Sequence, residues 1–183
     1  MRWADLFADL EAQLDSEQAT QHRAEVADRS RRELASIALL DRLSAHLNRT
    51  IQLGVEGVGP VSGTLVDAAA QWLLLEERPG RPAVVPVQAC LWLQGLGRAV
   101  EVPPERSVAR RLGFGSALRT LARQRVPVHL HLRDAAQVTG TIDRVHADHL
   151  DLAEHPADEP RRRELVRGVR AVPLPAIALV RPA

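Results

Sequence analysis

Part of this chain occurs twice, and that constrains its fold more than any other feature. Shifted by 77 positions, Ile51–Glu77 falls on Val128–Glu154 without a gap. Leu53 meets Leu130, Val61 meets Val138, and Gly63-Thr64 meets Gly140-Thr141. Ala70, Leu73, Leu75 and Glu77 meet Ala147, Leu150, Leu152 and Glu154. Where identity fails, apolar character persists: Ile51 with Val128, Val55 with Leu132, Leu65 with Ile142. Further on, Val85-Pro86-Val87 matches Val172-Pro173-Leu174 at a shift of 87. The second copy therefore carries about ten extra residues, within the charged segment from His155 to Gly168.

The pattern inside each copy has a period of two. Ile51, Leu53 and Val55 alternate with Gln52, Gly54 and Glu56, and the turn Gly57-Val58-Gly59-Pro60 follows. A second turn, Arg78-Pro79-Gly80-Arg81-Pro82, separates the run Trp72 to Glu76 from Ala83 to Leu93. Short strands between turn signals predict a small barrel or sandwich. Gly63 and Gly140 sit inside the second strand of each copy, where a strongly bent strand closing a small barrel calls for glycine. A helical pattern precedes each copy: Leu34 to Leu47, and Phe114 to Arg125 with Leu118 and Leu121. The predicted fold class is α+β, mainly β: two small barrels in tandem, each preceded by a helix, with a long N-terminal helical arm. The expected boundaries are 1–48 for the arm and 49–97 for the first barrel. The linker and its helix take 98–126, and the second barrel takes 127–183, with its insertion near 155–168.

A helix, an alternating strand, a turn, V-x-G-x-L/I and an L-x-L strand stand in that order in both copies. The carriers are Val61-Ser62-Gly63-Thr64-Leu65 with Leu73-Leu74-Leu75, and Val138-Thr139-Gly140-Thr141-Ile142 with Leu150-Asp151-Leu152. This arrangement resembles the Sm-like family of SH3-type small barrels over most of 35–95 and 112–181. The resemblance implies a helix on a five-stranded, strongly bent barrel, assembly into rings, and binding of single-stranded RNA. The whole chain also resembles an uncharacterised family of high-GC Gram-positive bacteria, some of whose members are labelled transcriptional regulators. One departure matters. The Sm pattern places Asp-x-x-apolar-Asn after the strand-two glycine. Here the regions read Asp67-Ala68-Ala69-Ala70-Gln71-Trp72 and Arg144-Val145-His146-Ala147-Asp148-His149. No uridine pocket carries over.

From Arg2 to Asn48 there is neither Gly nor Pro. Trp3, Phe7, Leu10 and Leu14 recur at helical spacing and form one apolar stripe. The stripe either packs on the protein's own core or serves association, as a homodimer contact or in a partner's groove. Seven acidic residues oppose two arginines over the first 28 positions.

Charge and composition limit function more by exclusion. Net charge is +1, so the whole molecule is not a polycationic nucleic-acid binder. Aromatic residues make up 3% and Tyr is absent, which disfavours stacking of bases on aromatic platforms. All 24 basic residues are Arg, a bias that fits a GC-rich bacterial genome and weakens any single Arg cluster as a signal. Locally, Arg106, Arg110, Arg111, Arg119, Arg123, Arg125 and Arg133 face only Glu105 and Asp134, and Arg167 and Arg170 follow the insertion. Candidate phosphate contacts are Arg110, Arg111, Arg119, Arg123, Arg125 and Arg167. The alternative for them is a solvated face.

Five of the seven histidines lie in the second copy: His129, His131, His146, His149 and His155. Imidazole clusters suit zinc or nickel, but no Cys is near and the sequence defines no ligand triad, so no metal ligand is assigned. Asp143, Asp148, Asp151 and Glu154 read as a solvated strand edge. No G-x-S-x-G elbow occurs, and the glycine turns lack the P-loop Lys and Ser/Thr. The expectation is a non-enzymatic protein with no cofactor and no small-molecule substrate. Cys90 is the only cysteine, so no intrachain disulfide forms. No signal-peptide core and no run of ~18–20 apolar residues appears, which predicts a cytoplasmic protein without a membrane partner. The expected function is nucleic-acid binding or regulation, with RNA ahead of DNA. The alternative is a protein-interaction adaptor or scaffold assembling through its N-terminal helix.

Overall fold

The computed structural model describes residues 22, 28–100, 112–157 and 165–183. The chain divides into two units, Met1–Ala38 and Leu39–Ala183. In the first unit, residues 28–35 are helical. That helix ends at Ser36, whose hydroxyl donates to the Glu33 carbonyl at 2.7 Å. Such a local bond offers the backbone an alternative to another helical turn. The stripe Trp3, Phe7, Leu10 and Leu14 lies outside the described residues.

The second unit is mostly β. A short helix α1 (Leu39–Ser44) leads into β1 (Thr50–Val55), β2 (Gly59–Ala68), β3 (Trp72–Arg78), β4 (Arg81–Pro86) and β5 (Cys90–Gln94). Helix α2 (Phe114–Gln124) then precedes β6 (Pro127–Leu132), β7 (Gln137–Val145), β8 (His149–Glu154), β9 (Gly168–Pro173) and β10 (Ile177–Pro182). All ten strands form one antiparallel sheet in the order β5-β1-β2-β3-β4-β10-β6-β7-β8-β9.

This corrects the expected fold class in two respects. The strands make a single open sheet, not two separate closed barrels, because β4 pairs with β10 through Val84 and Val180 and fuses the halves. The expected helical arm to residue 48 is also not continuous: the helix that holds residues 28–35 ends at Ser36, and α1 is a separate six-residue helix.

Within the sheet the duplication is kept in register. Ile51 pairs with Gly63 as Val128 pairs with Gly140. Leu65 pairs with Leu75 as Ile142 pairs with Leu152, and each second strand shifts register just after that pair. Leu73 pairs with Val85 as Leu150 pairs with Val172. Alternation explains the burial: Leu53, Leu65, Leu75, Leu130, Leu150 and Leu152 are all fully buried.

Two apolar clusters form, and they do not divide at the sequence boundary. Ala178 and Leu179 of β10 belong with Ile51, Leu53 and Leu65, while Ile177 and Val180 belong with Leu130, Ile142 and Leu150. Trp72 and Val84, from the first half, join that second cluster. Four consecutive apolar residues of β10 are thus buried, as expected of a strand covered on both faces.

Helix α2 lies against β7 and buries Phe114 and Leu118. Its first turn has no side-chain cap of its own. Gln71 Oε1, from the turn between β2 and β3, accepts from the Phe114 N–H at 3.1 Å and satisfies one of the orphan donors. The helix ends at Arg125 in the left-handed region, φ 52°.

Candidate nucleic-acid interface

The last two turns of α2 run beside the end of β7. Leu118 is buried beneath the helix, so a helical period sets Arg119 and Arg123 together on its exposed side. Arg125 follows at the C-terminus, where a cation also suits the helix dipole. Strand β7 adds exposed Arg144. Arg119, Arg123, Arg125 and Arg144, with Asp143, Ala122, Ile142 and Val145, line one open groove of about 300 Å³. Four guanidinium groups against one carboxylate make it strongly positive. Arg119 is further tied to the β7–β8 turn, donating to the His146 carbonyl at 3.5 Å.

Three of the six arginines singled out in the sequence therefore meet. Arg110 and Arg111 lie outside the described residues. Arg167 does not join the groove: it lines a separate hollow with Arg170, His129, Gln137, Thr139 and Glu154. There Arg170 is held by Glu154 at 2.6 and 3.3 Å. Arg144 was missed. Its signal was the pairing register, which sets Arg144 opposite Asp151 at the end of β7, beside α2.

An apolar groove of about 470 Å³ shares Arg119 and Arg123 with the basic one and is lined by Trp72, Leu74, Val84, Leu112 and Leu121.

On the seam between the halves, Arg181 makes a two-pronged bond to Glu77, both contacts at 2.7 Å. Its Nη1 also donates to His131 Nε2 at 3.1 Å. Burial, then the positive charge of Arg181, then His129 depress the His131 pKa below its ordinary 6.5, against a weaker opposing pull from Glu77. The unfolded chain therefore binds this proton more readily. Stability is unaffected well above pH 6.5 and falls as pH drops through the ordinary histidine range toward the lower folded value. We expect His131→Gln to flatten the urea-midpoint profile between about pH 7 and pH 5. An identical acid slope in the variant would show that His131 is not its source.

Elsewhere, the hydrogen bond from His149 holds the Asp148 carboxyl below the usual range, and burial pushes the Cys90 thiol up to about 11. Cys90 packs, partly buried, against the apolar cluster of Ile51, Leu53 and Leu65.

Among the described residues, no helix is long and apolar enough to cross a membrane. No family model matches the chain, and no curated protein matches it in sequence.

Proposed function

We propose that this protein is a non-enzymatic, cytoplasmic nucleic-acid-binding protein whose contacts are made to the phosphate backbone. The observation that carries the reading is the convergence of Arg119, Arg123, Arg125 and Arg144 on one groove. Guanidinium groups suit phosphate because they donate in a fixed planar fork. With so few aromatic residues the reading calls for electrostatic and sequence-tolerant binding, without base stacking. RNA is placed ahead of DNA because the V-x-G-x-L/I strand pattern resembles that of Sm-like proteins.

Filter binding of single-stranded RNA at two salt concentrations tests this. Affinity should fall steeply with salt. Arg119→Ala with Arg123→Ala should weaken binding about tenfold and reduce the salt slope by about 2. Arg167→Ala should matter less, since Arg167 lies outside the groove. Absence of salt-dependent retention of RNA or DNA would sink the reading.

The second reading is a protein-interaction adaptor, favoured by the apolar groove under α2. That reading keeps Trp3, Phe7, Leu10 and Leu14, the helically spaced apolar residues of the sequence, as the association stripe. Deleting residues 1–30 and measuring mass in solution separates the two: an unchanged assembly state with intact RNA retention leaves the adaptor without support.

A further inference from the structure

The turns after the second strand of each half have the same backbone and different side chains. In the first half, Ala69 N–H bonds to the Trp72 carbonyl at 2.9 Å, and Val87 N–H to the Gln71 carbonyl at 3.0 Å. In the second, His146 N–H bonds to the His149 carbonyl and Leu174 N–H to the Asp148 carbonyl, both at 2.8 Å. The first turn spends its side chains on the segment that follows β5. Trp72 Nε1 donates to the Leu112 carbonyl at 2.9 Å, and Gln71 caps α2. The second turn puts nitrogen and oxygen donors in those places.

His149 and Asp151 stand two residues apart on β8 and so share a face; His146 approaches from the end of β7. One donor atom from each of the three lies within 4.8 Å of the others. His146 Nε2 is 3.0 Å from Asp151 Oδ2, and the two imidazoles stack with centroids 4.4 Å apart. Asp148 Oδ1 is 2.7 Å from His149 Nδ1. The side chains are roughly one-third exposed, so an ion reaches them from solvent.

We propose that His146, His149 and Asp151 form a binding site for a divalent transition-metal ion of the zinc class, with Asp148 orienting His149. Two imidazoles and a carboxylate match the ligand preferences of Zn²⁺ and its neighbours, not those of Ca²⁺ or Mg²⁺. Tetrahedral coordination at about 2.1 Å sets ligand atoms ~3.4 Å apart, within reach of modest side-chain rotation. A proton on His149 Nδ1, shared with Asp148, leaves Nε2 as the coordinating nitrogen, the carboxylate–histidine arrangement common behind metal ligands. Three protein ligands leave one position for water or an added ligand. His46 and His155 are already committed. His46 Nδ1 donates to the Arg42 carbonyl while Nε2 accepts from Gly97 N–H, and His155 is shared between Thr141 and the Pro156 carbonyl. The first-half equivalents Ala69, Trp72 and Leu74 offer no ligand atom, so of the two equivalent turns only the second holds such a site.

The test uses the full-length chain without an affinity tag, stripped with chelator and titrated with Zn²⁺ against a chromophoric competitor. One Zn²⁺ per chain is expected. His146→Ala and His149→Ala should each weaken it more than tenfold, Asp148→Asn about tenfold, and His129→Gln not at all. No bound Zn²⁺, or a His146→Ala/His149→Ala double variant that binds like the parent, overturns the proposal. A second measurement needs no variant. Co²⁺ added to the parent protein should broaden amide resonances of residues 145–151 first, and broadening centred elsewhere overturns the proposal.

Discussion

Replacing Gly140 with Ala is expected to destabilise the protein by about 3 kcal/mol, although Gly to Ala within a strand ordinarily gains ~0.5–1 kcal/mol. The sign reverses because of what lies opposite. A Cβ at Gly140 would overlap the Ala153 carbonyl oxygen of β8, and Ala153 is fully buried. That oxygen belongs to backbone held in register between β7 and β9, so it cannot swing aside as a side chain would. Gly63 meets the same constraint more loosely, with the Glu76 carbonyl oxygen 2.7 Å from its virtual Cβ, and Gly63→Ala should cost about half as much. Gly168 is the control: no atom lies within 4 Å of the added carbon, and Gly168→Ala should stay within ~0.5 kcal/mol of the parent. Urea midpoints of the three variants decide the matter. A Gly140→Ala protein as stable as the parent would mean that β7 and β8 do not approach this closely.

The same glycines show what was legible in the sequence. Their recurrence at a spacing of 77 marked the second strand of each copy, and the strands, their register and the shared turn backbone all follow from that repeat. The reason for glycine is different from the one the pattern implied. It is close approach of a neighbouring carbonyl, not closure of a small barrel. Alternation of apolar residues also reports only which face a strand buries. It does not report which strand lies at its edge, and so the pairing of β4 with β10 was not legible. A hint existed in Ile177-Ala178-Leu179-Val180, an unbroken apolar run of the kind that marks a strand buried on both faces. The basic groove was half legible. Arg119 and Arg123 are four apart on one helix and meet by local geometry. Arg144 joins them through a long-range contact, and Arg167 departs because it sits just before β9, beyond β8. His146 and His149 were visible as a pair across a turn, but Asp151 read as part of an acidic edge until the strand register set it on the face of His149.

Because β10 supplies both apolar clusters, the two halves should unfold as one. Leu179→Ala tests this. Leu179 is fully buried and lies in the cluster of Ile51, Leu53 and Leu65, although its strand is the last in the sequence. Truncation to Ala should cost about 3 kcal/mol, the usual range for a buried leucine with little room to relax. Its neighbour Val180 faces the other cluster and pairs with Val84, so a disturbance at Leu179 reaches both sides of the seam. The expected result is one cooperative transition, shifted to lower urea with an unchanged slope. Native-state hydrogen exchange gives the discriminating view. Amides of Leu65 in β2 and Ile142 in β7 should lose protection by the same free energy. If the amides of β7 kept their parental protection while those of β2 lost theirs, the halves would be separate folding units, and the β4–β10 seam would be a contact without energetic weight. Equal loss means that a chain cut between β5 and α2 leaves neither half stable, since each then lacks side chains that its core takes from the other.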